Sequence, residues 1–163
     1  MPTSALTIRN IVFGAEDSLV STLGFLAGIS VGGFEARFIL LSGLVLVFVE
    51  AFSMGVGSFL SEESSEEYEQ KKSVPLAPSL HAGLTMFASY LISGFIPLGP
   101  YFLFSPTTAL WVSMACSLIA LFILGYFSGS ESGVHPFRTG IRMLVIGGGA
   151  MMIGIVIGQF LKL

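Results

Sequence analysis

Five apolar stretches, at about residues 8–33, 37–61, 79–104, 107–128 and 138–161, take up most of this chain. Each is long enough to cross the hydrocarbon layer of a bilayer, which takes about 20 apolar residues in a helix. Core helices and strands of soluble proteins run shorter than this. Charge removes the soluble alternative. Only 10% of the 163 residues are Asp, Glu, Lys or Arg, against 53% apolar, and the mean hydropathy is +0.88. A soluble domain carries about a quarter charged residues to solvate its surface. In lipid every backbone N–H and C=O must be satisfied internally, so such stretches become helices. The expectation is an all-α integral membrane protein, with five transmembrane helices in a single transmembrane domain over residues 1–163.

Breakers separate the spans. They are Gly32-Gly33, the charged stretch from Glu62 to Lys72 with Pro75 and Pro78, Ser105-Pro106, and the Ser128–Pro136 segment. Pro97 and Pro100 are expected to kink or end the third span. The first stretch has no basic region before it and runs past signal-peptide length, so it reads as the first span. With five spans the termini lie on opposite sides. Arg9, Lys71, Lys72, Arg138 and Arg142 fall on the N-terminal side, and only Arg37 and Lys162 on the other. The positive-inside rule then predicts a cytoplasmic N-terminus, with Tyr101 and Trp111 at the outer interface. The net charge of -3 gives no reason to expect nucleic acid as a partner. Cys116 lies in an apolar run and reads as a packing residue.

Three acids sit where lipid should exclude them: Glu16 and Asp17 in the first span and Glu50 in the second. A carboxylate at the bilayer centre costs about 2.5–3.5 kcal/mol on insertion scales, so such groups face a cavity or a partner. The alternative is an interfacial acid, or one kept protonated in a helix contact. Counted at 1.5 Å per residue from Arg9, Asp17 lies about 12 Å deep. Counted back from Glu62 along the antiparallel second helix, Met54 lies about 12 Å deep and Glu50 about 18 Å. Glu50 and Met54 are four apart and share a helix face. Two carboxylates and a thioether at similar depth form a plausible set for Fe2+ or Mn2+, with the sulfur disfavouring Mg2+ and Ca2+. Met54 can equally be a gap-filler. Glu16 points roughly 100° away from Asp17 and divides between site and packing.

One chain offers too few ligands for a six-coordinate ion, and a twofold axis would double them. Gly24, Gly28 and Gly32 make a small-residue stripe on the first helix, and Gly154 and Gly158 another on the fifth. Such stripes let membrane helices approach closely, either between two chains or within one. A homodimer is the expected assembly. Glu62, Glu63, Glu66, Glu67 and Glu69 cluster on what is expected to be a short cytoplasmic extension of the second helix, residues 62–72. They read as a solvated helix end or as a docking site for cytoplasmic metal. His81 and His135 lack partners at metal-ligand spacing and read as interfacial, and Ser21 and Ser53 as interhelical hydrogen-bond donors. No nucleophile constellation, phosphate loop or zinc motif is present, so no enzyme is expected.

The residues also resemble a known family. RNIVFGAEDSLVSTLGFLAGIS is similar to the opening helix of the vacuolar iron transporter family, and EAFSMGVGSFLSEESSEEYE to its second helix with a Ser-Met-Gly core. ASYLISGFIPLGPYFL and PFRTGIRMLVIGGGAMMIGIVIGQFL resemble its third and last helices, so the likeness runs in order through nearly the whole chain. It implies a five-helix homodimer that moves Fe2+ or Mn2+ out of the cytoplasm, or into an organelle, in exchange for protons. The pathway would lie at the dimer interface, with Asp17 and Met54 at the positions of the family's acid and methionine. The family commonly has further acids where this chain has Asn10 and Leu46, and a glycine where it has Ser18. It also commonly carries a long glutamate-rich hairpin between the second and third spans, which here is almost absent. Glu50, one turn before Met54, is placed to supply the missing charge.

The expected function is thus transport of a divalent transition metal with protons as the counter-substrate, in a lipid bilayer, without a resident cofactor. A prokaryotic plasma membrane is the expected location. Two other readings stay open at this point: a proton-coupled transporter of another small solute, and a membrane metal sensor or assembly module that does not transport.

Overall fold

A computed structural model describes residues 3–160. It contains five helices: α1 (Thr3–Val31), α2 (Ala36–Gln70), α3 (Leu76–Leu98), α4 (Pro106–Glu131) and α5 (Pro136–Phe160). A 3-10 turn over Gly99–Phe102 follows α3. All five are long and apolar enough to cross a membrane, and no strand occurs among the described residues. The chain is a multi-pass integral membrane protein. Lys162 lies outside the described residues.

Local chemistry sets the boundaries. Gly33, at φ +86°, turns the chain after α1, because an L side chain rarely adopts that backbone. α4 and α5 both open on proline, whose missing N–H is not needed in the first turn. Pro97 stands inside α3, where it removes one backbone donor, and the 3-10 turn begins two residues later. Its own carbonyl accepts a hydrogen bond from Ser113 of α4 at 2.7 Å, so the irregular end of α3 is tied into the bundle. α2, at 35 residues, is about 52 Å long and outruns the hydrocarbon layer. Its acidic end therefore continues as helix to Gln70, where Lys71 adopts the left-handed conformation and stops it.

α1 is the central helix. It contributes to all three apolar clusters, packing Leu26 with Val47 and Leu98, Leu23 with Leu110 and Met151, and Leu19 with Leu121 and Met143. Half of its most apolar window is buried, against 22% for α5. α3 is next, at 44%. These two helices hold most of the mid-span Ser, Thr, Asn and Tyr residues, which have no place facing lipid. α2 lies against α3, and α4 against α5, with the outward faces of these helices left to apolar side chains such as Phe48, Phe52, Ile119 and Ile153.

Candidate functional site

A junction of α1, α2 and α3 organises the buried acids. A Cβ on Gly94 of α3 would lie 2.8 Å from Ser18 Oγ and 2.9 Å from each methyl of Val47, so only glycine lets the three helices meet there. Ser18 uses the space to donate to the Tyr90 carbonyl at 2.7 Å. Asp17 precedes Ser18, and Glu50 lies one turn beyond Val47, so both carboxylates stand within about a turn of this junction, one on α1 and one on α2. Asp17 and Glu50 lie close enough to interact electrostatically, and the Tyr90 hydroxyl interacts with both. Tyr90 is fully buried, and its hydroxyl shares a 2.8 Å hydrogen bond with Ser21, one turn from Asp17. Asp17, Glu50 and Met54 are each half-buried, neither sealed into the core nor free in bulk.

The N-terminal part of α1 and the C-terminal part of α2 meet through the two residues from which depth is counted. Arg9 and Glu62 form an ion pair with Nη2 and Oε2 3.5 Å apart. Counting inward along the two antiparallel helices therefore starts from a common level, and Asp17 and Met54 stand about 12 Å from it.

Glu16 takes the other flank. Its charged neighbours are Arg142 of α5 and Asp17. With Arg9, Ser128 and Glu131 it lines a groove of about 450 Å³ between α1 and α4. Asp17 thus has a charged neighbour on either side, Glu16 on its own helix and Glu50 on α2. Among the described residues, no three His, Cys, Asp or Glu side chains converge closely enough to hold a metal ion. In the acidic segment Glu62 and Glu66 are half-buried, Glu63 likewise, and Glu67 is exposed. Lys71 lies over the Tyr68 ring at 3.7 Å.

Both glycine stripes pack within the chain. A Cβ on Gly24 would meet the Ala150 carbonyl oxygen at 3.0 Å, and one on Gly28 the Gly154 carbonyl oxygen at 3.0 Å. Cβ atoms on Gly154 or Gly158 would overlap the Gly24 or Gly28 carbonyls outright. Gly32 faces the Phe34 ring instead. Beside this seam runs an apolar groove of about 760 Å³, lined by Val20, Ser21 and Phe25 of α1 and Ile153 and Ile157 of α5. Asn10, where the resembling family has an acid, is fully buried and donates to the Ala82 carbonyl at 3.2 Å, so it braces α1 against α3. Leu46 is half-buried on α2. His81 pairs with Thr7 at 3.4 Å, while His135 and Ser53 are exposed.

Sequence reasoning did not single out Tyr90 or the partners of Arg9 and Glu16. A lone tyrosine in mid-span was the available signal for Tyr90, because a buried phenol needs a hydrogen-bond partner.

Comparison with known proteins follows the same helices. The sequence model of the VIT family matches residues 8–75 and 71–159, with the break between α2 and α3. An uncharacterised protein of Methanocaldococcus jannaschii is 32% identical over 165 residues, covering 90% of this chain and 84% of its own. Vacuolar iron transporter 1 of Oryza sativa subsp. japonica is 24% identical over 205 residues, covering 89% and 81%. Vacuolar iron transporter 1 of Tulipa gesneriana is 25% identical over 206 residues, covering 89% and 83%. In the rice alignment about 145 residues of this chain face 205 positions, so some 60 of those positions have no counterpart here. With both halves of its length matched by the family model, the chain belongs to the VIT family, a family of transporters and not of enzymes.

Proposed function

We propose that the chain carries Fe2+ or Mn2+ out of the cytoplasm in exchange for protons, as a homodimer whose pathway runs between the two copies. What supports this reading most is that Asp17 of α1 lies within electrostatic range of Glu50 of α2, both half-buried, with Met54 one turn along α2. Two like charges held in one partly desolvated place repel each other, and a visiting cation relieves that cost. The names of the plant relatives point to iron as one such cation.

One copy contributes two carboxylate groups and a thioether, and a second copy related by a twofold axis doubles the set. The apolar groove along α1 and α5, next to Ser21, supports an apolar neighbour on that flank. In the mechanism, the N-terminal side faces the cytoplasm, as its excess of Lys and Arg favours. The ion sheds part of its water and is held by Asp17, Glu50 and Met54 of both copies. Protons arriving from the opposite side neutralise the carboxylates, which removes the charge that binds the ion and releases it. The site must then open outward. Such a protein would work in a prokaryotic plasma membrane.

Proteoliposomes loaded with a metal-quenched dye test the reading. Wild type is expected to carry Fe2+ or Mn2+ inward, and Asp17→Ala and Met54→Ala to lose most of that flux. Equal flux in all three rejects the assigned site.

A further inference from the structure

We propose that Arg9 and Glu62, the ion pair that joins α1 to α2 a few turns from Asp17 and Glu50, form a cation-operated latch. Glu62 is the innermost carboxylate of the acidic end of α2, the last that a divalent cation meets before the span itself, and the Arg9 guanidinium is the internal cation it displaces. The latch rests on the reading of Asp17 and Glu50 as transport ligands and adds the step that precedes them.

The ion pair is asymmetric. Glu62 retains 15% of its side-chain exposure and Arg9 52%, so the carboxylate is enclosed while the guanidinium stands half in solvent. It is the one ion pair within 4 Å among the described residues, and it joins the two helices that carry Asp17 and Glu50. Its 3.5 Å separation is long beside the roughly 2.7–2.9 Å of a strong charge-assisted hydrogen bond, and a single contact is recorded. A single long contact to a guanidinium that stands half in solvent contributes little to stability, so exchanging the partner of Glu62 costs little. A divalent cation binds carboxylate oxygen at about 2.0–2.5 Å with twice the charge of arginine, and so competes well for it.

Arg9 also has somewhere to go. The same side chain lines the groove between α1 and α4 whose other charged walls are Glu16 and Glu131. Swinging from Glu62 into that groove exchanges one acidic neighbourhood for another and clears the positive charge from beside Glu62. The helices need not part for this. α2 stays packed on α3, where a Cβ on Gly83 would lie 2.8 Å from the Gly55 carbonyl oxygen, and the proposed opening asks only for rotation of one arginine side chain. A cation released from Glu62 then has roughly 12–18 Å to travel along the cleft to Met54 and Glu50.

The test is the concentration dependence of Mn2+ uptake by wild type, R9Q, E62Q and the charge swap R9E/E62R in proteoliposomes, with melting temperatures measured alongside. R9Q is expected to lower KM about three- to tenfold with little change in Vmax, because a competitor is gone. E62Q raises KM. The swap restores an ion pair but leaves KM high, since arginine now occupies the enclosed seat. A simple structural brace gives the opposite pattern: melting temperatures fall in the single variants, KM stays put, and the swap recovers wild-type kinetics. Either that recovery or an unchanged KM in both R9Q and E62Q overturns the latch. If R9Q does not fold, R9K, which keeps the charge on a head group that pairs less well, is expected to lower KM in the same direction. Wild type that carries neither Mn2+ nor Fe2+ defeats the transport reading itself, and the latch with it.

Discussion

Replacing Gly83 of α3 by alanine puts a methyl group where α2 already lies. The new carbon would stand 2.8 Å from the Gly55 carbonyl oxygen and 2.9 Å from Phe59 Cβ, both anchored to the α2 backbone. Comfortable contact begins at about 3.5 Å, so α2 must retreat by roughly half to one ångström. Overpacking of this kind costs about 1–3 kcal/mol. Glycine to alanine in a helix also brings a gain of up to about 1 kcal/mol, which masks part of the loss. Gly149→Ala supplies the reference: a Cβ there meets nothing within 4 Å, and the position faces outward. Both variants take the same propensity gain, so their difference isolates the contact, and Gly83→Ala should be the less stable by about 1–3 kcal/mol. The retreat also draws Glu50 and Met54 away from α1, so metal flux should fall in Gly83→Ala and hold in Gly149→Ala. Unfolding by SDS titration in mixed micelles, followed by circular dichroism, measures the first effect, and dye quenching in vesicles the second. Equal unfolding midpoints for the two variants would refute the packing argument.

Tyr90→Phe keeps the buried ring and removes the hydroxyl shared with Ser21; it should cost about 0.6–1 kcal/mol in the same titration and lower metal flux. Wild-type behaviour in both assays would show that the phenol is packing alone. Glu16→Gln should leave flux close to wild type because this side chain serves the Arg142 flank, whereas Asp17→Asn should lose at least about tenfold, equivalent to roughly 1.4 kcal/mol. Equal losses in the two variants would place Glu16 in the pathway as well.

Span positions were legible because the physics behind them is nearly one-dimensional: about 20 apolar residues cross a bilayer wherever they occur. That Arg9 and Glu62 stand at one level was legible for a related reason. Rise per residue is fixed, and short loops make neighbouring spans antiparallel, so counting from Arg9 and Glu62 converts sequence position into depth. Rotation about the helix axis was much less legible. Glycine stripes announce a close approach without naming the partner, and Gly24 and Gly28 turn out to lie against Gly154 and Gly158 of their own chain. The α3 side of the site was illegible altogether. Tyr90 is 69 residues from Ser21 and 72 from Ser18, and no periodicity links positions so far apart. Asn10 shows the same limit, since its amide could have faced the cleft and instead braces Ala82.

Those braces recur along the bundle. Thr7 with His81, Asn10 with Ala82, Ile11 with Ser89, Ser18 and Ser21 with Tyr90, and Ser30 with Tyr101 tie the first helix to the third helix and its 3-10 end, from one membrane face to the other. Shearing that pair would break bonds at every level in a medium that offers no water to replace them. The contact with the fifth helix is glycine against backbone over Gly24 and Gly28, a smooth surface that resists separation more than sliding. In the proposed transport cycle the first and third helices would therefore travel as one piece, and the fifth would be the element able to slip past them.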